Sequence, residues 1–215
     1  MNCKIVGYEF KHLEIELSPG EDFYGERGAF VYCDEGIDKQ TEIIGTSISG
    51  VLLSKLSGES LLLVHYRNVS SSNRILVVAG SHANLLPLKL SGSDTLLIRR
   101  GAYVASSSRM KIDVNLSLKR IIAGMSLMMQ RITGDGTIFI DGIGIPIIKE
   151  LQSFECIEVD ENHVIALENI HENQISAGWN LSNIFRGEGL STIKITGPGK
   201  VHLSPLSIVN SPNTR

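Results

Sequence analysis

The sequence predicts an all-β protein built as an array of three small tandem units. Residues 118–141 and 181–204 align without a gap at an offset of 63, and eight of these 24 positions are identical. A weaker first copy begins at Gly58, which lies 66 residues before Gly124. A fixed period of this length is typical of repeated structural units. Two-residue alternation of apolar and polar side chains indicates that the units are made of strands.

The strands are predicted from four alternating segments, residues 13–18, 86–91, 137–141 and 200–204. In a strand, side chains two residues apart share one face, so each segment places its apolar set toward an interior. Residues 119–130 could also form an amphipathic helix, but the repeat favours a strand beyond Gly124. We expect only single helical turns, at residues 118–123 and 180–186.

The front part of each unit also repeats. Residues 27–31 match residues 100–104 at an offset of 73, and a third copy lies at 161–165, where Asn162 replaces glycine. Asparagine accepts the left-handed backbone geometry that glycine adopts freely. We therefore expect one compact β domain over residues 1–209, with repeats of about 1–75, 76–141 and 142–209. Residues 210–215 are expected to form a short tail.

Turns are predicted where glycines interrupt apolar runs. The Gly-x-Gly sequences at 134–136 and 197–199 predict hairpins that pair 128–133 with 137–141, and 192–196 with 200–204. The predicted structural turn positions of the whole chain are Gly28, Gly58, Gly101, Gly124, Gly134, Gly136, Asn162, Gly187, Gly197 and Gly199.

Composition disfavours several classes of protein. The formal net charge of −3 argues against a general affinity for nucleic acid, and Tyr103 is the only aromatic residue close to the basic pair Arg99-Arg100. The longest apolar stretches are too short to span a bilayer, and residues 1–15 contain no apolar signal core. Three widely spaced cysteines favour a reducing compartment. We expect a cytoplasmic protein without a membrane span.

No catalytic, metal-binding or cofactor-binding set is predicted. The six histidines form no His-x-His pair of the kind that jelly-roll metal sites use. Glu158, Asp160 and Glu161 flank an expected turn, which favours a solvated acidic rim. The glycine pairs do not open a helix as phosphate-binding loops do, and no Gly-x-Ser-x-Gly elbow is present.

Several short strings resemble one known family. They are residues 17–21, Gly28-Ala29, 56–61, 187–190 and 195–199, and they occur in the expected order over nearly the whole chain. Together they are similar to the altered-inheritance-of-mitochondria 24 family. The chain departs from this pattern at Phe154, which replaces Gly20 of the first unit, and at residues 68–73, which lack a Gly-x-Gly turn. Both turns are therefore expected to differ.

The resemblance implies three tandem modules like the tryptophan RNA-binding attenuation protein, each a shortened, jelly-roll-like double-stranded β-helix with a pseudo-threefold repeat. It also implies a homo-oligomer, with a trimer favoured, and no established enzymatic activity. We therefore expect a non-enzymatic oligomeric scaffold or a module that binds a protein partner. The alternative is a small-ligand or carbohydrate-binding protein that uses a cleft between repeats.

Overall fold

The computed structural model describes residues 1–43, 62–82, 84–114, 127–178 and 192–208. Throughout these segments the chain forms antiparallel strands joined by turns and three short 3-10 turns, with no α-helix, so the predicted all-β class is confirmed. Gly58, Gly124, Gly187, the expected helical turns at 118–123 and 180–186, and the tail lie outside the described residues.

Nineteen strands are formed by these segments. They are β1 (Asn2–Val6), β2 (His12–Leu17), β3 (Asp22–Glu26), β4 (Phe30–Cys33), β5 (Ile37–Ile43), β6 (Leu62–Asn68), β7 (Arg74–Ala79), β8 (Asn84–Leu90), β9 (Leu96–Arg99), β10 (Tyr103–Ser106), β11 (Lys111–Val114), β12 (Met129–Thr133), β13 (Gly136–Gly142), β14 (Ile147–Leu151), β15 (Cys156–Asp160), β16 (Val164–Glu168), β17 (Ile175–Ala177), β18 (Thr192–Thr196) and β19 (Gly199–Leu203).

The chain divides into two compact units. The first contains Met1–Ser91, Tyr103–Met110 and Gly134–Asp141, and the second contains Gly92–Ala102, Lys111–Thr133 and Gly142–Arg215. The boundaries of the three expected repeats do not coincide with these units and stay a prediction.

The first unit contains two sheets. Sheet A has the strand order β1-β2-β7-β4, and sheet B has the order β5-β6-β3-β10-β13-β8. The alternation in β2 buries Leu13, Ile15 and Leu17 completely, as the two-residue period predicts. Phe23 and Tyr66 from sheet B belong to the same apolar core.

The second unit also contains two sheets. Sheet C has the order β11-β12-β9-β16-β19-β14, and sheet D has the order β15-β18-β17. Strand β9 is buried along its whole length, which agrees with the uninterrupted apolar run of residues 96–98. Leu97, Leu167, Ile193 and Val201 are part of the core of this unit.

The two predicted hairpins are wrong. Strand β12 pairs with β9 and β11 in sheet C, whereas β13 lies in sheet B beside β10. Likewise, β18 pairs with β15 and β17 in sheet D, whereas β19 pairs with β14 and β16 in sheet C. Each Gly-x-Gly turn is therefore a corner at which the chain leaves one sheet and enters another. Alternation of apolar and polar residues predicts a strand but not the strand with which it pairs. The backbone N–H and C=O groups can be satisfied equally by a hairpin neighbour or by a strand of another sheet.

The polar loop Asn68–Asn73 also turns the chain from one sheet to another, although it contains no glycine. It connects β6 of sheet B to β7 of sheet A, so it is also a corner between two sheets. The buried amide of Asn68 donates to the carbonyl oxygens of Leu17 and Ser72, both at 2.8 Å. Its oxygen accepts from the backbone N–H of Ser70 at 2.9 Å. The Asn68 side chain thus stabilises this turn through hydrogen bonds to the backbone.

Candidate functional site

The glycines of the two Gly-x-Gly corners lie where a side chain would not fit. Gly134 and Gly136 have φ values of +139° and +136°, and Gly199 has +148°. A Cβ at Gly199 would lie 2.4 Å from Cγ1 of Ile170, and one at Gly197 would lie 2.3 Å from the carbonyl oxygen of Gln152. These corners therefore require glycine for both backbone geometry and space.

Gly101 differs from Gly28 and Asn162, although the sequence treats the three positions as equivalent. Gly101 has a φ of +81° and open space around it. The positive-φ positions of the chain include neither Gly28 nor Asn162, so the left-handed geometry expected for Asn162 is wrong. Both residues lie in 3-10 turns whose first N–H groups are capped by a preceding carboxylate, Glu26 or Asp160. The cap, rather than glycine, forms these turns.

The turn at Phe154 also contradicts expectation, because it matches the turn at Gly20. Phe154 has a φ of +67° and Gly20 has +81°. The carboxylate of Glu21 accepts from the N–H of Ser18 at 2.8 Å, and that of Glu155 accepts from the N–H of Gln152 at 3.1 Å. The two turns are therefore the same, and an almost fully exposed aromatic residue occupies a strained backbone position in the second.

Three histidines form hydrogen bonds with carboxylates, and a fourth, His12, lies 3.6 Å from Glu14. His65 lies 2.7 Å from Asp22, and the ring of Tyr24 stacks on His65 with centroids 4.9 Å apart. Arg67 also donates to both oxygens of Asp22, at 3.1 and 3.2 Å, so this carboxylate is already engaged. Burial and the nearby charge of Asp22 raise the pKa of Tyr24.

The other two pairs are His82 with Asp141, at 2.9 Å, and His202 with Glu168. The hydrogen bond from His202 lowers the pKa of Glu168. Within the described segments, no three histidine, cysteine or acidic side chains come close enough together to hold a metal ion. The three pairs lie on different parts of the sheets.

The acidic rim expected at residues 158–161 is only partly correct. Glu158 is exposed and accepts from the hydroxyl of Thr192 at 2.6 Å, whereas Glu161 is buried. Arg99 is buried too, and it donates to the carbonyl oxygens of Glu161 at 3.1 Å and Ile208 at 2.6 Å. Burial lowers the pKa of Arg99, while the charges of Glu161 and Asp160 oppose this shift.

Arg99 therefore belongs to the interior of the second unit, where it ties β9 to the end of the described chain. It is not available to a nucleic acid, although the sequence placed it in a basic pair. Sequence reasoning missed this role. The signal was the continuous apolar run before Arg99, which is typical of a strand buried on both faces.

A cleft of about 600 Å³ lies in the first unit. Apolar side chains form much of its wall, together with the hydroxyl-bearing residues Ser107 and Thr137; the lining residues are Met1, Cys3, Ile5, Pro87, Ser107, Thr137 and Phe139. Burial raises the pKa of the Cys3 thiol to about 11. At neutral pH this thiol is protonated, so it is a poor nucleophile.

Strands β4 and β15 lie at sheet ends and leave part of their side chains exposed. Strand β4 ends sheet A and strand β15 ends sheet D, so each presents a strand edge that no described residue pairs with. The side chains of Phe30, Val31 and Tyr32 on β4 are all exposed. Exposed apolar edge strands of this kind are places where other chains add.

The fold agrees with comparisons to known proteins. A family model described as mitochondrial biogenesis AIM24 matches residues 3–206. The chain belongs to the AIM24 family. A relative, the uncharacterised protein M6_Spy0233 of Streptococcus pyogenes serotype M6, is 24% identical over 200 residues, covering 84% of this chain and 79% of its own.

A solved structure shows the same fold. The crystal structure of protein SPYM3_0169 from Streptococcus pyogenes superposes with a TM-score of 0.70 at 21% identity, covering 96% of this chain and 94% of that one. Neither of these two proteins carries a described activity in its name. No helix in the described segments is both long and apolar enough to cross a bilayer.

Proposed function

We propose that this AIM24 protein is a non-enzymatic scaffold whose three tandem jelly-roll-like modules assemble into a homo-oligomer. The observation that carries the proposal is a recurring pattern of strand pairs in three consecutive sets of six strands, β2–β7, β8–β13 and β14–β19. In each set the first and third strands flank the sixth, and the second and fourth strands flank the fifth.

The registers support the same division into modules. Ala105 lies opposite Phe139, and Ala166 lies opposite His202, so the partners differ by the 63 residues of the sequence repeat. The third strand of every set carries a register shift at the corresponding place, between Phe30 and Tyr32, Tyr103 and Ala105, and Val164 and Ala166. Repeated pairing and repeated irregularity together favour three copies of one module.

Assembly is supported by two strands at sheet ends. Strand β4 ends sheet A and strand β15 ends sheet D, and self-association covers strand edges of this kind. Three cysteines without disulfides are consistent with a cytoplasmic compartment.

Light scattering coupled to size-exclusion chromatography tests the proposal. A trimer would have about three times the 23.5 kDa mass of one chain. We expect this mass at micromolar concentration, and a mass that stays at one chain up to high concentration would contradict the scaffold. Measuring at two salt concentrations separates charge-driven association from burial of apolar surface.

A second candidate function rests on the cleft of the first unit. Its volume lies within the range of small-molecule sites, and its apolar wall with two hydroxyl groups suits a ligand with an apolar body and a polar end. A thermal-shift screen of acyl chains, sugars and nucleotides tests this. A ligand at 100 times its Kd stabilises by about 2.7 kcal/mol. A shift that Ile5→Trp abolishes would support the cleft, and no shift with any probe would contradict it.

A further inference from the structure

We propose that copies of this chain join head to tail by adding β15 of one copy to the free edge of β4 in the next, in a defined register. This inference rests on the proposed oligomeric scaffold and names the surface through which it assembles. It requires no surface other than the two sheet ends already described.

The chain itself shows how one set of strands joins the next. Strand β3 of the first set pairs with β10 of the second, and β9 of the second pairs with β16 of the third. Both junctions join the second strand of one set to the third strand of the following set. By the same rule, β15 would pair with a set that follows it and β4 with a set that precedes it, and the described strands contain neither set.

The register of both junctions is the same. Gly25 lies opposite Ala105, and Ile98 lies opposite Ala166. Ala105 and Ala166 follow the register shift of their strands, as Tyr32 does in β4. On β15, Val159 corresponds to Gly25 and Ile98, because each lies two residues before the 3-10 turn or tight turn that follows the strand. The geometry therefore places Tyr32 opposite Val159, and Cys33 opposite Glu158.

Side-chain exposure distinguishes β4 from β10 and β16, the equivalent strands that pair with a strand of the preceding set. Phe30, Val31 and Tyr32 are 40%, 52% and 51% exposed. Their counterparts in β10 and β16 are at most 3% exposed; these are Tyr103, Val104 and Ala105, and Val164, Ile165 and Ala166. The side chains of β15 are likewise more exposed than those of its counterpart β9, which is fully buried. Three apolar side chains on an uncovered edge cost free energy that a partner strand would recover.

The partner is a second copy because the complementary edge is present in the same sequence. A β15–β4 junction would reproduce a pairing that the fold already uses twice, with the same strand direction and register. Such an interface is heterologous, since the two surfaces differ, and it forms a ring when the rotation between copies closes. A closed trimer would leave neither edge exposed.

Cross-linking with cysteine tests the register. Opposed residues in antiparallel strands have Cα atoms about 4.5–5.5 Å apart, which fits a disulfide. One chain carries Cys3→Ala and Cys156→Ser and keeps only Cys33. A second chain carries these changes with Cys33→Ser and Glu158→Cys. The two chains are tagged differently, co-expressed and oxidised.

We expect a covalent dimer that contains both tags, and none from either chain alone. In the control, Val159→Cys replaces Glu158→Cys in the second chain. Adjacent residues point to opposite faces of a sheet, so cross-linking should be at least about tenfold slower. A second pair, Tyr32→Cys with Val159→Cys in chains that otherwise lack cysteine, tests the neighbouring position. Because this pair leaves Glu158 unchanged, it still tests the junction if the Glu158→Cys chain fails to fold.

The outcomes separate this inference from the scaffold. In one outcome, light scattering shows an oligomer but neither cysteine pair cross-links; in another, it shows an oligomer but the control cross-links as fast as the test pair. Either outcome would overturn the β15–β4 junction but not the proposed scaffold. A monomer would overturn both. Cross-linking only within one chain that carries Cys33 together with Glu158→Cys would show that the two edges pair with each other, which also overturns the proposal.

Discussion

Backbone geometry and local packing differ between turn positions that look equivalent in the sequence. Gly199 and Gly101 both have positive φ, but Gly199 is closed in by Ile170 and by the carbonyl oxygen of Glu168, whereas Gly101 faces open space. Phe154 shows the opposite case, in which a residue other than glycine occupies the left-handed region. The local motif is therefore a weaker guide than the packing around it.

Gly199→Ala should cost about 3 kcal/mol or more in the free energy of unfolding. The new Cβ would overlap Cγ1 of Ile170 at 2.4 Å, and the φ of +148° is unfavourable for alanine. Urea denaturation measures the loss. Gly101→Ala is the matched control, with a cost of about 1 kcal/mol from φ alone. Equal losses in the two variants would show that close packing at Gly199 is unimportant.

Phe154→Gly should stabilise the protein by about 0.5–1 kcal/mol. The φ of +67° strains any residue with a Cβ, and the exposed ring contributes little burial within the chain. Thermal and urea denaturation provide the measurement, and Phe154→Ala, which keeps the Cβ, should show no gain. A destabilised Phe154→Gly protein would indicate that the ring makes a stabilising contact, for example in the oligomer.

Stability at acid pH should depend on Glu168. Its folded-state pKa is lowered by His202, so its contribution is present above the unfolded pKa of about 4.3 and is lost as pH falls through the lower folded value. Between pH 6 and pH 3, the wild type should lose up to about 1 kcal/mol more than Glu168→Gln. Parallel pH profiles of the two proteins would contradict this.

At the scale of elements, the corners between sheets decide the fold. Two of the described corners use Gly-x-Gly, and another uses the Asn68 side chain to bind three backbone groups. The change of sheet at each corner could not be predicted from alternation, because a hairpin and a corner bring the same apolar faces inward. Which strand supplies the hydrogen bonds is decided by residues far away in sequence.

Asn68→Ala should cost about 2 kcal/mol or more. It would leave the carbonyl oxygens of Leu17 and Ser72 without their donor in a site where Asn68 is fully buried. Asn73→Ala in the same loop removes only an exposed hydrogen bond to Glu16 and should cost less than about 0.5 kcal/mol. Urea denaturation of both variants compares them. A similar cost for the two would mean that Asn68 does not hold the corner.

At the scale of the whole molecule, association should add to stability. If folded chains assemble, the melting temperature should fall by a few degrees on hundredfold dilution, because dissociation accompanies unfolding. Differential scanning fluorimetry at several concentrations measures this. Tyr32→Lys places a charge on the β4 edge and should remove the dependence while leaving the monomer folded. A melting temperature independent of concentration in the wild type would contradict assembly.

Local sequence determined the all-β class, the positions of six of the described strands and the glycines of the two Gly-x-Gly corners; the six strands are β2, β8, β12, β13, β18 and β19. These follow from the two-residue period and from backbone sterics, which act within a few residues. Leu13, Ile15 and Leu17 are buried as that period requires. The ungapped offset of 63 residues likewise reappears in the registers opposite Ala105 and Ala166.

Only the tertiary structure decided which strands pair, that Arg99 and Glu161 are buried together, and that β4 and β15 end their sheets. Strand pairing depends on which edges meet after the corners are formed, and the backbone groups of any strand can satisfy those of many others. Burial of Arg99 similarly depends on carbonyl groups more than 60 residues away. Short-range patterns carry no information about such partners, so the sheet ends became visible only once the chain was folded.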